Sequence, residues 1–207
     1  MPLGDAQIER YSRQIILPEV GGRGQERLLA ARVAVAGAGA AAVTAATLLG
    51  RAGVGALDLP AHMAALPELS PECRLARTRA PGADADVTVD LAGDETVSVA
   101  LGQRAQATGR LFVLGTLHGT RVAVATLVGR PCIACVAHRN AAAAPDPGPL
   151  AAPAALALGA LAASEVLRTL LLLPARGRIT TLELVLGTCS AVEPAATGGC
   201  AVCGGSA

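Results

Sequence analysis

Four cysteines in two matched pairs, Cys132/Cys135 and Cys200/Cys203, restrict the topology of this chain more than any other feature. Each pair is spaced Cys-x-x-Cys beside turn-forming residues, in Arg-Pro-Cys-Ile-Ala-Cys and in Gly-Gly-Cys-Ala-Val-Cys-Gly. Two intervening residues let both sulfurs face one centre about 2.3 Å away, and two such pairs complete the tetrahedron of a structural zinc site. Residues 136–199 lie between the pairs, so one shared metal ties the C-terminal end back onto the middle of the fold. Two disulfides, or unrelated free thiols, are the competing reading. The start Met-Pro-Leu-Gly-Asp-Ala-Gln-Ile-Glu-Arg is polar and charged, unlike an export signal. The expectation is therefore a cytoplasmic protein with reduced, metal-bound thiols.

At 207 residues the chain is long enough for one well-buried domain. We take residues 1–207 as that single domain: N-terminal helices over 1–31, a nucleotide-binding type of half over 32–130, and a metal-tethered half over 131–207. A net charge of +1 favours neither nucleic acid nor an anionic membrane as partner. All 17 basic residues are arginine, which excludes lysine-based phosphate binding and Schiff-base chemistry. Tyr11 and Phe112 are the only aromatics, and an aliphatic, alanine-rich core suits helices packed on a parallel sheet. Leu150 to Ala163 is almost wholly apolar, but Pro153, Glu165 and Arg168 interrupt the stretch. A buried core helix is expected there rather than a membrane span.

Along the chain, Asp5 caps a first helix to Gln14, Gly21-Gly22 break the pattern, and a short helix covers Gln25 to Ala31. Arg32–Ala36 reads as a buried strand running into Gly37-Ala-Gly39-Ala-Ala-Ala42. A helix follows to Ala52 with Gly53 as its C-cap, then a strand at Ala56–Leu59. This is the opening unit of a dinucleotide-binding fold. Met63 to Asp86 reads as loop with room for one short helix. Strands are expected at Val87–Leu91, Leu111–Gly115, Arg121–Val128 and Arg178–Leu186, with a helix from Asp94 to Thr108. Residues 139–150 read as a mobile crossing loop. The fold class is α/β: a Rossmann-like, mostly parallel sheet with flanking helices and an antiparallel, zinc-tethered C-terminal part.

In the glycine turn, Gly37 allows the sharp bend, Gly39 lets a phosphate approach the backbone, and Ala42 permits close helix packing. The helix N-terminus then favours an anion. A tight turn kept only for packing is the alternative. Asp58 is the candidate ribose ligand, although it lies within the second strand, before Pro60-Ala61-His62-Met63.

The stretch Glu9-Arg-Tyr-Ser-Arg-Gln-Ile-Ile-Leu-Pro-Glu-Val-Gly-Gly-Arg-Gly-Gln-Glu-Arg-Leu-Leu resembles the start of MoeB and ThiF proteins, within the ubiquitin-activating-enzyme superfamily. The resemblance continues through Ala34–Gly39, Gly53-Val-Gly55, Arg130–Cys135, Gly159–Arg168 and the final Cys-Ala-Val-Cys-Gly, in the family's order and over most of the chain. It implies Mg-ATP at the glycine turn and adenylation of the Gly-Gly C-terminus of a ubiquitin-like sulfur carrier. It implies zinc on Cys132, Cys135, Cys200 and Cys203, and a dimer in which Arg13 reaches the partner's ATP. Arg74 matches a phosphate-binding arginine.

The chain also departs from the pattern. The family's acidic pair after the second strand falls on Ala61 and Met63, and its phosphate-binding lysine has no counterpart, leaving Arg77 or Arg79 as substitutes. The metal-binding Asp of its Asp-x-x-Asp-Asn motif falls on Gly93, with Asp94 one place on. No cysteine occupies 139–150, where relatives carry a sulfur-transfer thiol. Because the transition state gathers charge, each loss is expected to remove several kcal/mol of stabilisation. The resulting expectation is a degenerate, non-catalytic partner or carrier-docking subunit, paired with itself or with an active relative. An active adenylyltransferase using Arg13, Arg74 and Asp94 is the alternative, and a nicotinamide-dependent enzyme a distant third. Cys73, beside Arg74, is either a thiol of lowered pKa or an unreactive loop residue. Cys189 is expected to pack at the end of a strand, and His62, His118 and His138 to be surface or hydrogen-bonding residues.

Overall fold

A computed structural model describes residues 2–79, 82, 84–127, 129–137, 145–171, 177–200 and 202–204. Eight strands form one sheet in the order β3-β2-β1-β4-β5-β6-β7-β8. They are β1 Arg32–Ala36, β2 Ala56–Pro60, β3 Arg74–Thr78, β4 Val87–Asp90, β5 Leu111–His118, β6 Arg121–Leu127, β7 Arg178–Glu183 and β8 Thr188–Val192. The first five are parallel, and β5 to β8 continue the sheet antiparallel. Strand order reverses between β1 and β4, the switch point at which open α/β sheets form a crevice beyond their carboxyl ends.

The helices are α1 Asp5–Arg10, α2 Ser12–Ile15, α3 Gly21–Ala30, α4 Ala40–Ala52, α5 Glu95–Ala107, α6 Ile133–Ala137 and α7 Ala151–Leu170. Strand alternation divides the core into two layers. Val33, Val35, Val113, Val122 and Val124 face the cluster containing Ala45, Ala46 and Leu49 of α4 and Ala154, Leu158, Ala162 and Val166 of α7. Phe112, Leu114, Ala125 and Leu127 pack on the other face with Ala105 of α5 and Ile133 of α6. Small residues let α4 and α7 approach closely. A Cβ on Gly159 would stand only 2.3 Å from the Ala41 carbonyl oxygen.

By length and composition Gly148–Leu170 would suffice to cross a membrane. In the fold, one stripe of α7 lies on the sheet and Glu165 is buried at 2% exposure. Its carboxylate is held by Arg178 of β7, by Arg168 at 3.4 Å and by the Thr126 hydroxyl at 3.1 Å. The charge that interrupts the apolar run is thus an internal tie between helix and sheet.

Several boundaries differ from the sequence reading. Gly4 rather than Asp5 caps the first helix, and Tyr11 divides it into α1 and α2 because its side chain turns inward, 1% exposed. Its hydroxyl meets Ser70 at 2.6 Å and Glu72 at 3.0 Å. Gly21-Gly22 begin α3 instead of breaking a helix. The segment read as loop contains β3, an edge strand whose Arg-Leu-Ala-Arg-Thr sequence lacks a buried apolar pattern. The last strand turns at residues 184–187 and returns as β8. His138 and residues 139–144 of the crossing loop lie outside the described residues. Gly148–Leu150 form a 3-10 turn leading straight into α7.

Candidate functional site

The glycine turn closes β1 and opens α4 at the switch point. Gly37 has φ 97°, and a Cβ there would come within 2.5 Å of the Leu91 carbonyl oxygen, so glycine is required by both backbone and space. Gly39 is the N-cap of α4 in extended conformation, and nothing lies within 4 Å of where its Cβ would be. That clearance, beside the free N–H groups of the first helical turn, can admit an anion.

The charged groups expected around this turn lie elsewhere. Asp58 is 4% exposed and engages Arg32, with Nε–Oδ2 at 2.9 Å and Nη2–Oδ1 at 2.8 Å. Both carboxylate oxygens are taken, so the expectation of a ribose ligand is not carried forward. Arg74 begins β3 opposite Ala56, the first residue of β2. It lies at the amino end of the sheet, about 13 Å along the strand from Thr78. Parallel pairing therefore removes it from the phosphate role. Asp94 caps α5, its Oδ1 accepting the Val97 N–H at 3.1 Å. Arg77 donates to the carbonyl oxygens of Met63 and Ala64 at 2.5 and 3.3 Å. Arg79 is exposed beyond β3, two strands or about 10 Å from β1. Arg13 is exposed on α2. Nearby in sequence, Ile8, Ile16 and Leu17 are 47%, 77% and 48% exposed.

One acidic residue at the crevice was missed. Asp90 ends β4 opposite Ala36 of β1 and is fully buried. Its Oδ1 accepts the Ala92 N–H at 2.9 Å, while Oδ2 has no partner among the described residues. Burial pushes its carboxyl above the usual carboxylate range, and Ser98 and the Ala92 N–H only partly oppose that. The available signal was a carboxylate ending the otherwise uncharged strand Val-Thr-Val-Asp.

The four paired thiols do meet. Cys132, Cys135, Cys200 and Cys203 have their sulfurs within 4.8 Å of one another. Cys132–Cys135 is 3.8 Å, and Cys132–Cys200 and Cys135–Cys203 are each 3.6 Å. Four sulfurs about 2.3 Å from one ion lie about 3.8 Å apart, so the cluster could hold a metal ion. The cysteines are free, which removes the disulfide reading. Each pair sits in a tight turn, one closed by Cys135 N to Cys132 O at 3.0 Å and the other by Gly204 N to Cys200 O at 2.8 Å. Burial pushes the Cys132 thiol up to about 12. Cys135 is also opposed by burial, yet the Thr197 N–H and its neighbouring thiols bring it down to about 6. Of the other thiols, Cys73 is half-buried and pushed up to about 11 by burial, so Arg74 does not activate it. Cys189 does not pack; it is exposed on β8.

A third feature lies on the sheet face away from α7. A cavity of about 290 Å³ is floored by Leu114, Thr116 and His118 of β5, Ala123 and Ala125 of β6, and Ile179 and Thr181 of β7. A second, of about 240 Å³, lies between Gly93, Glu95 and Ser98 and the end of β5. Leu114, Thr116 and His118 line both. Together they make a track from the antiparallel sheet face to the loop behind Asp90.

Residues 11–60 match the ThiF family. Among curated proteins, the adenylyltransferase and sulfurtransferase uba4 of Pyricularia oryzae is 50% identical over 58 residues, 28% of this chain and 12% of that one. The adenylyltransferase and sulfurtransferase MOCS3 of Mus musculus is 54% identical over 56 residues, 27% and 12% of the two chains. The SAMP-activating enzyme E1 of Haloferax volcanii is 49% identical over 57 residues, 28% and 21% of the two. These matches span a small part of each relative's length. Among solved structures, Escherichia coli MccB with ATP superposes with a TM-score of 0.70 at 14% identity, covering 98% of this chain and 76% of that one. MccB with N-formylated MccA gives 0.71 at 14% identity, covering 94% and 75%. At that identity the likeness establishes the fold alone.

Proposed function

We propose that this chain, whose residues 11–60 match the ThiF family, docks a ubiquitin-like sulfur carrier as a non-catalytic partner in carrier activation. The observation that carries the reading is a contrast within one edge of the sheet. The track that would receive a protein with an extended Gly-Gly tail is built, while the phosphate-handling charges beside it are engaged elsewhere or replaced. Adenylation gathers negative charge on the phosphates, and catalysis there depends on cations and a metal-binding carboxylate placed in advance. Here Asp58 is neutralised by Arg32, Arg74 stands at the opposite end of its strand, and Gly93 occupies the metal-binding position.

The metal we assign to the thiol cluster is zinc, held by Cys132, Cys135, Cys200 and Cys203, in a structural role because all four tetrahedral positions are filled by protein. When bound, ATP and Mg²⁺ would supply the activating phosphoryl chemistry. Only part of their surroundings fits: Gly37 and Gly39 leave room for a phosphate, while Arg79 is exposed two strands, about 10 Å, from β1. The exposed Ile8, Ile16 and Leu17, with Arg13 on the same N-terminal segment, fit a dimer contact with a second copy or an active relative in the cytoplasm.

A second reading, an active adenylyltransferase, draws on the clear space at Gly39 and the buried carboxylate of Asp90. ATP–pyrophosphate exchange separates the two. The purified protein alone, given ubiquitin-fold carriers ending in Gly-Gly, is expected to bind a carrier and catalyse no exchange above background. Robust exchange would establish the enzyme reading.

A further inference from the structure

His118 is the one imidazole shared by both cavities of the track. It is half-buried at the end of β5, and no hydrogen bond or ion pair reaches it among the described residues. Its register partner Arg121, which also lines the first cavity, is paired with Glu183 at 3.3 Å, and Glu183 also accepts the Thr120 hydroxyl at 2.8 Å. The track floor belongs to a continuous sheet, with Thr116 paired to Ala123 and Ala123 to Thr181. Toward β6 and β7 its main-chain groups are spent within the ladder, whereas β4 pairs β5 only as far as Leu114 and leaves one edge of Gly115–His118 open beside the imidazole.

An extended peptide entering such a track loses water from its own N–H and C=O groups, and each needs a new partner. Thr116 ends in one short hydroxyl, whereas an imidazole presents a donor and an acceptor on separate nitrogens. Gly93, Gly115, Ala123 and Ala125 keep the walls low, which suits a main chain with small side chains. Glu95 at the far end adds negative charge and disfavours an acidic segment.

We propose that His118 is a specificity-determining residue that hydrogen-bonds the main chain of an extended, small-residue segment lying in the track. This rests on the carrier-docking reading and adds the residue that grips the tail. Titration calorimetry tests it with a panel of ubiquitin-fold carriers ending in Gly-Gly, each with and without its extended tail. His118→Ala is expected to lower affinity for the tailed carrier about tenfold and to leave the tail-less form unaffected. His118→Gln, which keeps a donor and an acceptor, recovers most of the loss. An equal effect on both forms, or none on either, overturns the assignment while leaving docking intact. A panel in which nothing binds the wild type overturns the docking reading, and this assignment with it.

Discussion

Gly37 and Gly39 stand two residues apart in one turn and answer to different demands. The first is held by φ 97° and by the Leu91 carbonyl oxygen, the second by nothing in the protein. Gly37→Ala should cost about 1–3 kcal/mol in chemical denaturation, because strain and a backbone clash coincide. Gly39→Ala should change stability by less than about 1 kcal/mol, since its extended backbone is open to any residue. If both variants lose stability alike, the clearance at Gly39 is misassigned. Asp90 gives a pH signature. Its folded-state pKa is raised, so its contribution is most favourable below the unfolded carboxylate range and is lost as pH rises through the folded value. Asp90→Asn removes that loss. The stability of the variant relative to wild type should therefore climb as pH rises above about 4 and then level off. A pH-independent difference would show that Asp90 is not penalised by burial.

Among the elements, α7 shows how a charge can belong to a core. Glu165 is buried but tied to Arg178, Arg168 and Thr126, so removing it alone strands the cations that face it. Glu165→Ala should cost about 3–5 kcal/mol by urea denaturation, whereas Glu165→Leu combined with Arg178→Met should recover most of that loss. Additive losses in the double variant would mean that the pair has no net coupling. The same logic explains what the sequence left illegible. β3 exposes Arg74, Leu75 and Arg77 and fully buries none of its residues, and β8 is exposed along its whole length. Strands at the edges of a sheet need no buried stripe, so nothing in their composition announces them. Helices α4 and α5 and strands β1, β2, β4 and β6, which bury one or both faces, were read to within a residue, whereas β5 runs on past Gly115 to His118 and β7 stops at Glu183.

For the molecule as a whole, the thiol cluster joins α6, directly after the sheet crosses to β6, with the C-terminal turn at Cys200–Cys203. Metal analysis should find about one zinc per chain. Removing it with a chelator should lower the thermal midpoint measurably, with the metal restoring it, since metal held only in the folded state adds to folding free energy. An unchanged midpoint after complete removal would leave the cluster without a structural role. Replacing Cys200 with Ser should reproduce the chelated state.

Local order and chemistry were settled by the chain itself. The strand–glycine turn–helix unit follows from a buried aliphatic run meeting Gly37, and each half of the thiol cluster from its Cys-x-x-Cys spacing, because each depends on residues within a few positions of one another. Tertiary structure alone decided which charged groups face the crevice. Parallel pairing of β3 put Arg74 at the wrong end of the sheet, the β1–β2 register handed Asp58 to Arg32, and the end of β4 buried Asp90 at the switch point. A side chain's partner is set by strand register and sheet order, and those are properties of distant segments meeting in space.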